Sequence, residues 1–157
     1  MSSKKSLPKS VIAINRGATY HYDIYKKIKA GIELKGYEVK GLREKRANIV
    51  DGFIKVVNGE AFLMNTYIGV PSNAKITNYD SRRARRLLLH KREIRWIDTE
   101  LKKKGITAVP LELFWENNLA KLLIGVGKGK KKYDKRKQII EREIKREIQK
   151  ALKYETI

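Results

Sequence analysis

The stretch NIVDGFIKVVNGEAFLMNTYIG, residues 48–69, carries the clearest structural signal in this chain. Two runs rich in β-branched and aromatic residues flank the dipeptide Asn58-Gly59. A two-residue type I′ turn needs a positive φ at both central positions, and asparagine and glycine tolerate that conformation. The stretch therefore predicts a β-hairpin, and the rest of the fold is read outward from it.

A second hairpin is predicted near the end of the folded part. The runs TAVPLELFW (residues 107–115) and LAKLLIGVG (residues 119–127) flank Glu116-Asn117-Asn118. Pro110 has no amide hydrogen for a ladder, so its strand must be an edge strand or contain a bulge there. Two shorter strands are predicted as well, VIAIN at residues 11–15 and YEVKGLR at residues 37–43.

Two segments show a helical pattern instead. Residues 19–34 predict a short helix, because isoleucines recur there four positions apart. Residues 81–105 predict a longer amphipathic helix, with Ser81 as its N-cap. Its apolar face consists of residues spaced by three and four positions: Leu87, His90, Ile94, Ile97 and Leu101.

The order of these elements favours a mainly β fold. Several short strands and two hairpins without βαβ alternation are typical of a small antiparallel β-barrel with helices packed on it. We expect three parts: a flexible N-terminus at residues 1–10, the barrel domain with its helices at residues 11–129, and a basic C-terminal tail at residues 130–157.

The charge of the chain points to a polyanionic partner. Lysine and arginine number 37 against 17 acidic residues, which gives a formal net charge of +20. Such an excess predicts attraction to RNA, DNA or an anionic membrane surface. No run resembles a signal peptide or approaches the length of a membrane span, so we expect a cytoplasmic protein without a membrane partner.

The sequence offers little for catalysis or metal binding. There is no cysteine and there are only two histidines, His21 and His90. The glycine-rich run GVGKGKKK lacks the serine or threonine that follows the lysine of a P-loop. We expect no catalytic site, no metal site and no cofactor. The enzyme hypothesis that is left is a ribonuclease using His90 with Glu38 or Lys91.

Four arginines crowd the first turns of the predicted helix at residues 81–105, with only Asp80 near them. Like charges at close helical spacing destabilise a helix, so a phosphate backbone docking there explains them better than a solvated face does. These candidate RNA ligands are Arg82, Arg83, Arg85 and Arg86. His90, on the apolar face, is either a structural histidine or an RNA-facing donor.

The tail has a composition of its own. Residues 128–157 hold twelve cations and five anions. A stripe of apolar residues recurs there at every fourth position: Ile140, Ile144, Ile148 and Leu152. The stripe is one side chain wide, and isolated helices of this length are marginal in water. We therefore expect a tail that is disordered alone and helical when bound.

Five ordered segments resemble one known family over nearly the whole chain. They are AGIELKGYEVKGLR (30–43), ANIVDGFIKVVNGEAFL (47–63), RRLLLHKREI (85–94), KGITAVPLELFW (104–115) and GKGKKKYDKR (127–136). In these segments the chain resembles the small protein B, or SsrA-binding, family, the tmRNA-binding proteins of bacterial trans-translation. The resemblance implies an OB-fold-like barrel with helices and a C-terminal tail.

The resemblance also implies a function. It is that of a non-catalytic adaptor, expected to be monomeric, that binds the tRNA-like domain of tmRNA (SsrA RNA). It would deliver this RNA to stalled ribosomes with elongation factor Tu and support its charging by alanyl-tRNA synthetase. The tail would enter the vacant decoding centre and mRNA channel. The rival hypothesis is a basic ribosomal protein anchored in rRNA, which explains the charge equally well.

Residue by residue, the resemblance implies a tmRNA-binding patch on the barrel. Its members would be Glu38, Val39, Lys40, Arg43, Asn48, His90, Lys91 and Lys128. An ionised Glu38 cannot bind phosphate; it would accept from a base amino group or a 2′-hydroxyl, or hold a neighbouring arginine in place. Gly41 stands where the family often has serine.

In the tail, the resemblance implies a ribosome-binding motif. Its residues would be Lys130, Lys131, Lys132, Tyr133, Asp134, Lys135 and Arg136, followed by the isoleucine stripe. Tyr133 stands where many relatives have histidine, and a phenol ring retains the ability to stack on a base.

Overall fold

The computed structural model describes residues 10–130 and 142–149, and they form a mainly antiparallel β structure with helices. The strands are β1 (Ser10–Ile14), β2 (Tyr22–Ile32), β3 (Ala47–Asn48), β4 (Phe53–Val57), β5 (Glu60–Met64), β6 (Tyr67–Ile68), β7 (Arg85–Leu88), β8 (Ile106–Glu116) and β9 (Leu119–Gly129). The helices are α1 (Ala18–His21), α2 (Gly36–Arg43) and α3 (Lys91–Leu101). Residues 142–149 are also helical.

Seven strands form one sheet in the order β1-β8-β9-β2-β7-β5-β4, and β3 pairs with β6 in a separate two-stranded sheet. The order is linear, so among the described residues no hydrogen-bonded ladder joins β1 to β4 and closes the barrel. Edge strand β4 nevertheless packs against β8, which lies near the other edge. The sheet is therefore strongly curled. The prediction of a mainly antiparallel β fold with packed helices is confirmed.

Both predicted hairpins are present. The φ angles are 51° at Asn58 and 76° at Gly59 in the β4–β5 turn, as a type I′ turn requires. Asn117 and Asn118 play the same part between β8 and β9. Opposite Pro110 the register shifts, because Leu123 pairs with Glu112 while Ile124 pairs with Pro110. Since β8 is not an edge strand, the bulge was the correct alternative.

Two predicted elements were wrong in type. The helix expected at residues 19–34 is limited to α1, and most of the segment forms strand β2. Ile28, Ala30 and Ile32 are buried at alternate positions, which is the period of a strand. Conversely, the strand expected at residues 37–43 is helix α2. Its start is fixed by the Glu38 carboxylate, which accepts the Lys35 amide at 2.8 Å in the manner of a capping box.

The long helix predicted at residues 81–105 starts nine residues later than expected. Its first part forms strand β7, which pairs with β2 and β5. The N-cap of α3 is His90, not Ser81, and the Glu93 carboxylate accepts the His90 amide at 2.9 Å. The arginines at residues 82–86 therefore do not lie on helical turns. Ile94, Ile97 and Leu101 keep the predicted role, since they pack on the core.

The hydrophobic core lies between the curled sheet and helices α2 and α3. At its centre Leu42, Ile97, Leu113 and Leu122 have no accessible surface. A side chain at Gly41 would overlap the Gly69 carbonyl oxygen. The backbone of α2 thus approaches the residue after β6 so closely that position 41 has no room for a side chain.

Candidate nucleic-acid interface

A buried ionic cluster joins α2 to β7, and we call it the Glu38 network: Glu38, Arg83 and Arg85. The Glu38 side chain is 1% exposed, and its Oε1 accepts Nη2 of Arg83 at 2.5 Å. Its Oε2 accepts Nε of Arg85 at 2.7 Å. The Arg85 guanidinium also donates to the carbonyl oxygens of Thr66 and Ser81 at 2.7 and 3.1 Å. The Glu38 carboxylate and the Arg85 guanidinium therefore both have hydrogen-bond partners inside the protein.

Contacts within the Glu38 network keep its buried groups ionised. Burial alone would raise the pKa of Glu38, but hydrogen bonds from Arg83 and the Lys35 amide, with the charge of Arg85, lower it overall. Burial lowers the pKa of Arg85, and Glu38 opposes that effect. A guanidinium stays protonated in proteins. The network is therefore an ionised carboxylate between two cations.

In the structure Glu38 has the contacts of the second role that the sequence left for it, which is to hold neighbouring arginines. With its carboxylate buried and bonded to two arginines, Glu38 holds its neighbours in place rather than facing a base. Arg85 is 0% exposed and has no surface to offer to RNA. Arg86, the next residue on β7, points to the opposite side and is 46% exposed.

A concave surface that we call the cationic groove lies between β7, β2, β9 and the start of α3. Its volume is about 450 Å³, and its basic lining comes from Lys29, Arg86, His90 and Lys121. Glu60 and Glu93 also line it. Since Lys29 and Lys121 lie on the neighbouring strands β2 and β9, the sheet gathers cations that are far apart in the sequence.

Two cations of this groove, Lys29 and Arg86, are already paired with exposed acids. Arg86 contacts Glu60 at 2.9 Å, and Lys29 contacts Glu116 at 2.9 Å. Exposed ion pairs contribute about 0–1 kcal/mol each. They can therefore be exchanged for contacts to an RNA phosphate at little cost.

An apolar groove continues from the cationic groove. It is lined by Leu34, Val39, Leu88, Trp115 and Leu119, and the two grooves share Gly31, Leu88 and Lys121. Leu88 and Leu119 are 50% and 60% exposed. The Arg43 guanidinium lies 5.4 Å from the Trp115 ring centroid, in cation–π geometry. We call the two together the double groove: cations at one side and apolar and aromatic surface at the other.

The structure brings some of the predicted site residues to the double groove. Val39, Arg43, Arg86 and His90 line it or contact its lining. Lys91 follows His90 at the start of α3 and is exposed. Lys40 is exposed on the last turn of α2. These residues come from α2, β7 and α3, so the surface depends on how the three elements pack.

Other predicted residues lie elsewhere. Asn48 belongs to the two-stranded sheet, where its Oδ1 accepts the Val50 amide at 2.9 Å. Arg82 donates to the Asn65 carbonyl oxygen at 3.2 Å. Lys128 is on β9, and at about 3.3 Å per residue it lies about 20 Å along the strand from Lys121. Their contact with RNA remains a prediction.

Sequence reasoning missed several residues of the double groove, among them Lys29, Leu88, Trp115 and Lys121. Lys29 was missed because the sequence predicts a helix at residues 19–34. A helix would not pair with β9, so the prediction does not bring Lys29 close to Lys121. The exposed Leu88 was assigned to a helix as well. An alternating reading of residues 85–88 would have placed Arg86 and Leu88 together on the open face.

The predicted tail residues fall largely outside the described residues. Seven of them are not among the described residues: Lys131, Lys132, Tyr133, Asp134, Lys135, Arg136 and Ile140. Lys130 is described, and its Nζ donates to the Thr19 carbonyl oxygen at 2.9 Å. Ile144 and Ile148 are 54% and 55% exposed in the helical segment 142–149. The change from disorder to helix on binding stays a prediction.

Among residues 10–130 and 142–149, no group of three or more histidine, aspartate or glutamate side chains is placed to hold a metal ion. No helix in these same ranges is long and apolar enough to span a membrane.

Comparisons with known proteins agree with one another. A family model described as "SmpB protein" matches residues 12–154. An "SsrA-binding protein" of Ligilactobacillus salivarius is 47% identical over 150 residues, covering 95% of this chain and 97% of the relative. Another, from Aquifex aeolicus, is 47% identical over 152 residues, covering 96% and 95%.

A solved structure is similar as well. It is described as "tmRNA-SmpB: a journey to the center of the bacterial ribosome", and it matches with a TM-score of 0.66 at 38% identity. The match covers 80% of this chain and 87% of the other.

Proposed function

The chain belongs to the SmpB protein family, and from this membership we propose that it is the RNA-binding adaptor of trans-translation, which binds tmRNA and acts on the ribosome. The observation that carries the proposal is the identity of 47% to SsrA-binding proteins over nearly the full length of both chains. At such coverage the barrel and the tail are both shared with the relatives. The net charge of +20 suits an RNA ligand.

Binding is the whole of the mechanism that the residues support. Lys29, Arg86 and Lys121 of the cationic groove bind phosphates of the tRNA-like domain of tmRNA. The apolar groove, with Trp115 held by Arg43, receives an unpaired base or a ribose face. The Glu38 network positions α2 and β7 so that the two grooves stay contiguous. No step requires the protein to make or break a covalent bond.

Delivery of the RNA belongs to the same proposal in finer detail. The bound tmRNA is charged by alanyl-tRNA synthetase and carried by elongation factor Tu into the empty A site of a stalled ribosome in the cytoplasm. The tail, from Lys131 onward, then lies in the vacant decoding centre and mRNA channel. The basic composition of residues 128–157 supports this part, because the channel is lined by rRNA.

A titration at matched salt tests the RNA ligand. The full chain should bind the tRNA-like domain of tmRNA more tightly than it binds an unrelated tRNA. Each neutralised phosphate should contribute about −0.7 to −0.9 to the slope of log affinity against log salt concentration. Equal affinities for the two RNAs would show that the specific ligand is wrong.

Sucrose-gradient fractionation tests the adaptor role against the ribosomal-protein alternative. An adaptor should appear only on a minor fraction of stalled ribosomes. A stoichiometric presence on all ribosomes would identify a permanent ribosomal component instead. Metal-independent cleavage of labelled RNA that His90→Ala abolishes would point to a ribonuclease.

A further inference from the structure

The last residues of the described range 10–130 contact helix α1. The Lys130 amide donates to the His21 carbonyl oxygen at 2.9 Å, and Lys130 Nζ donates to the Thr19 carbonyl oxygen at 2.9 Å. The Lys130 side chain is 8% exposed, and Oδ1 of Asp23 lies 4.0 Å from its Nζ. A lysine with so little exposed surface acts inside the molecule rather than on a partner.

The residue before it is fastened from another side. The Gly129 amide donates to the Gly105 carbonyl oxygen at 3.1 Å, where the chain leaves α3 for β8. Two backbone hydrogen bonds and one side-chain hydrogen bond therefore fix Gly129 and Lys130. Such a set determines the direction in which the chain continues.

A second contact from the C-terminal region reaches the same helix. The Arg142 guanidinium lies 5.6 Å from the Tyr20 ring centroid, within cation–π range. At a net charge of +20, general electrostatics repel a basic tail from the body. A ring face and carbonyl oxygens are attractive to cations without adding negative charge, and α1 supplies both.

The anchorage lies at the far end of β9 from the RNA surface. Leu119 begins β9 at the apolar groove, and Gly129 ends it beside α1. Ten residue steps along a strand span about 30 Å. An RNA in the double groove and a tail that starts at α1 can therefore be engaged at the same time.

We propose that α1 is the anchorage of the C-terminal tail: Lys130 is a positioning residue that fixes where the tail leaves the body, and Tyr20 holds Arg142 in the free protein. The consequence for tagging rests on the proposed function, whereas the anchorage itself does not. Lys130 thus differs from the lysines that follow it, because it orients the ribosome-binding motif instead of contacting rRNA.

Spin-label distances test the anchorage directly. The chain has no cysteine, so Thr99→Cys on α3 and Glu143→Cys in the segment 142–149 give one specific pair of labels. Pulsed electron paramagnetic resonance on the full-length protein then reports the distance distribution between the body and the tail. Lys130→Met removes the ammonium and keeps the length of the side chain.

The expected result is a broader and shifted distribution for Lys130→Met. Lys104→Met is the matched control: Lys104 is exposed, directly precedes Gly105, and loses the same charge. Its distribution should equal that of the unsubstituted chain. A Lys130→Met distribution that also equals it would overturn the anchorage.

Tyr20→Leu tests the second contact without touching Lys130, so the proposal stays testable if Lys130→Met folds poorly. Loss of an exposed cation–π contact should reduce the docked population about two- to fivefold. Arg142→Gln should have the same effect, and no effect in either variant would refute the hold on the tail.

A functional readout separates positioning from binding. Lys130→Met should bind the tRNA-like domain as tightly as the unsubstituted chain but tag fewer peptides on stalled ribosomes. Lys130→Arg, which keeps a cation, should recover part of the tagging. Equal losses of binding and tagging would contradict a positioning role. If the unsubstituted chain bound no tmRNA, the proposed function would be wrong. The distance measurement would still test the anchorage, because it needs no RNA.

Discussion

The Glu38 network and the cationic groove contain neighbouring residues of one strand with opposite fates. Arg85 is fully buried and bonded to a carboxylate, whereas Arg86 is 46% exposed and bonded to an acid at the surface. Strand alternation alone separates them. The comparison teaches that an arginine-rich run in an RNA-binding protein is not uniformly an RNA-binding run. Some of its arginines, such as Arg85, are buried and position the strand, while others, such as Arg86, are exposed to a ligand.

The largest effect should come from breaking the buried side of this comparison. Glu38→Gln leaves Arg85 buried with an uncompensated charge, so the free energy of unfolding should fall by about 3–5 kcal/mol. Urea denaturation measures it. Glu60→Gln, which removes one of the two exposed partners of Arg86, is the control and should change stability by less than about 1 kcal/mol. Similar losses in the two variants would remove the distinction between the clusters.

Acid should weaken the Glu38 network in a defined range. Because the pKa of Glu38 is lowered in the folded state, its stabilisation is complete above the ordinary glutamate pKa of about 4.3. It is lost as the pH falls through the lowered value. The stability gap between the unsubstituted chain and Glu38→Gln should therefore narrow only below about pH 4.3. Urea midpoints between neutral and acidic pH test this, and a gap that narrows already near neutral pH would contradict it.

The exposed side should respond in RNA affinity instead. Arg86→Gln should weaken binding of the tRNA-like domain roughly tenfold, as the loss of one charge-assisted hydrogen bond implies. The salt slope should become shallower by about 0.7–0.9. Filter binding over a salt series measures both quantities, and thermal unfolding should be almost unchanged.

Arg46→Gln is the matched control for that experiment. Arg46 is 42% exposed and pairs with Glu44 at 3.4 Å, so it loses the same charge and a similar ion pair. Arg46 lies outside the double groove, so Arg46→Gln should weaken binding of the tRNA-like domain much less than Arg86→Gln does. If both substitutions weakened binding equally, net charge rather than the groove would explain the affinity.

The smallest effect should come from the contact between the exposed Tyr25 and the buried Glu100. The Tyr25 hydroxyl donates to Oε1 of Glu100 at 2.7 Å. Although Tyr25 is 50% exposed, desolvation of its hydroxyl, followed by that hydrogen bond, raises the pKa of Tyr25 to about 12. Its stabilisation is thus complete below about pH 10 and lost as the pH rises through about 12. Tyr25→Phe should cost less stability than Glu38→Gln, and the difference from the unsubstituted chain should vanish in that alkaline range. A difference that persisted above it would refute the assignment.

The sequence predicted the turns better than the segments between them. Asn58-Gly59 demands a particular backbone conformation, so the hairpin follows from two adjacent residues. Helix α2 has no such local signature. Its capping depends on the Glu38 carboxylate reaching the Lys35 amide, and the same carboxylate is also required by two arginines from β7. Tertiary partners decided that segment.

The region of β7 and α3 shows why the arginines were misplaced. Leu87, His90 and Ile94 fit helical spacing, while Arg85 and Leu87 fit the alternation of a strand, so periodicity supports both structures. Pairing with β2 and β5 resolves the choice. The location of the double groove follows from the same pairing, because Lys29 and Lys121 approach Arg86 only across strands. It could not be predicted before the strand order was known.

Lysine footprinting of the complex with the tRNA-like domain of tmRNA tests the central claim most directly. Mass spectrometry would compare the reactivity of each lysine in the free and the RNA-saturated chain. We predict that Lys29 and Lys121 become protected, while Lys55 on β4 and Lys102 after α3, which are exposed outside the double groove, keep their reactivity. Unchanged reactivity of Lys29 and Lys121 in a saturated complex would contradict the double groove as the RNA-binding surface.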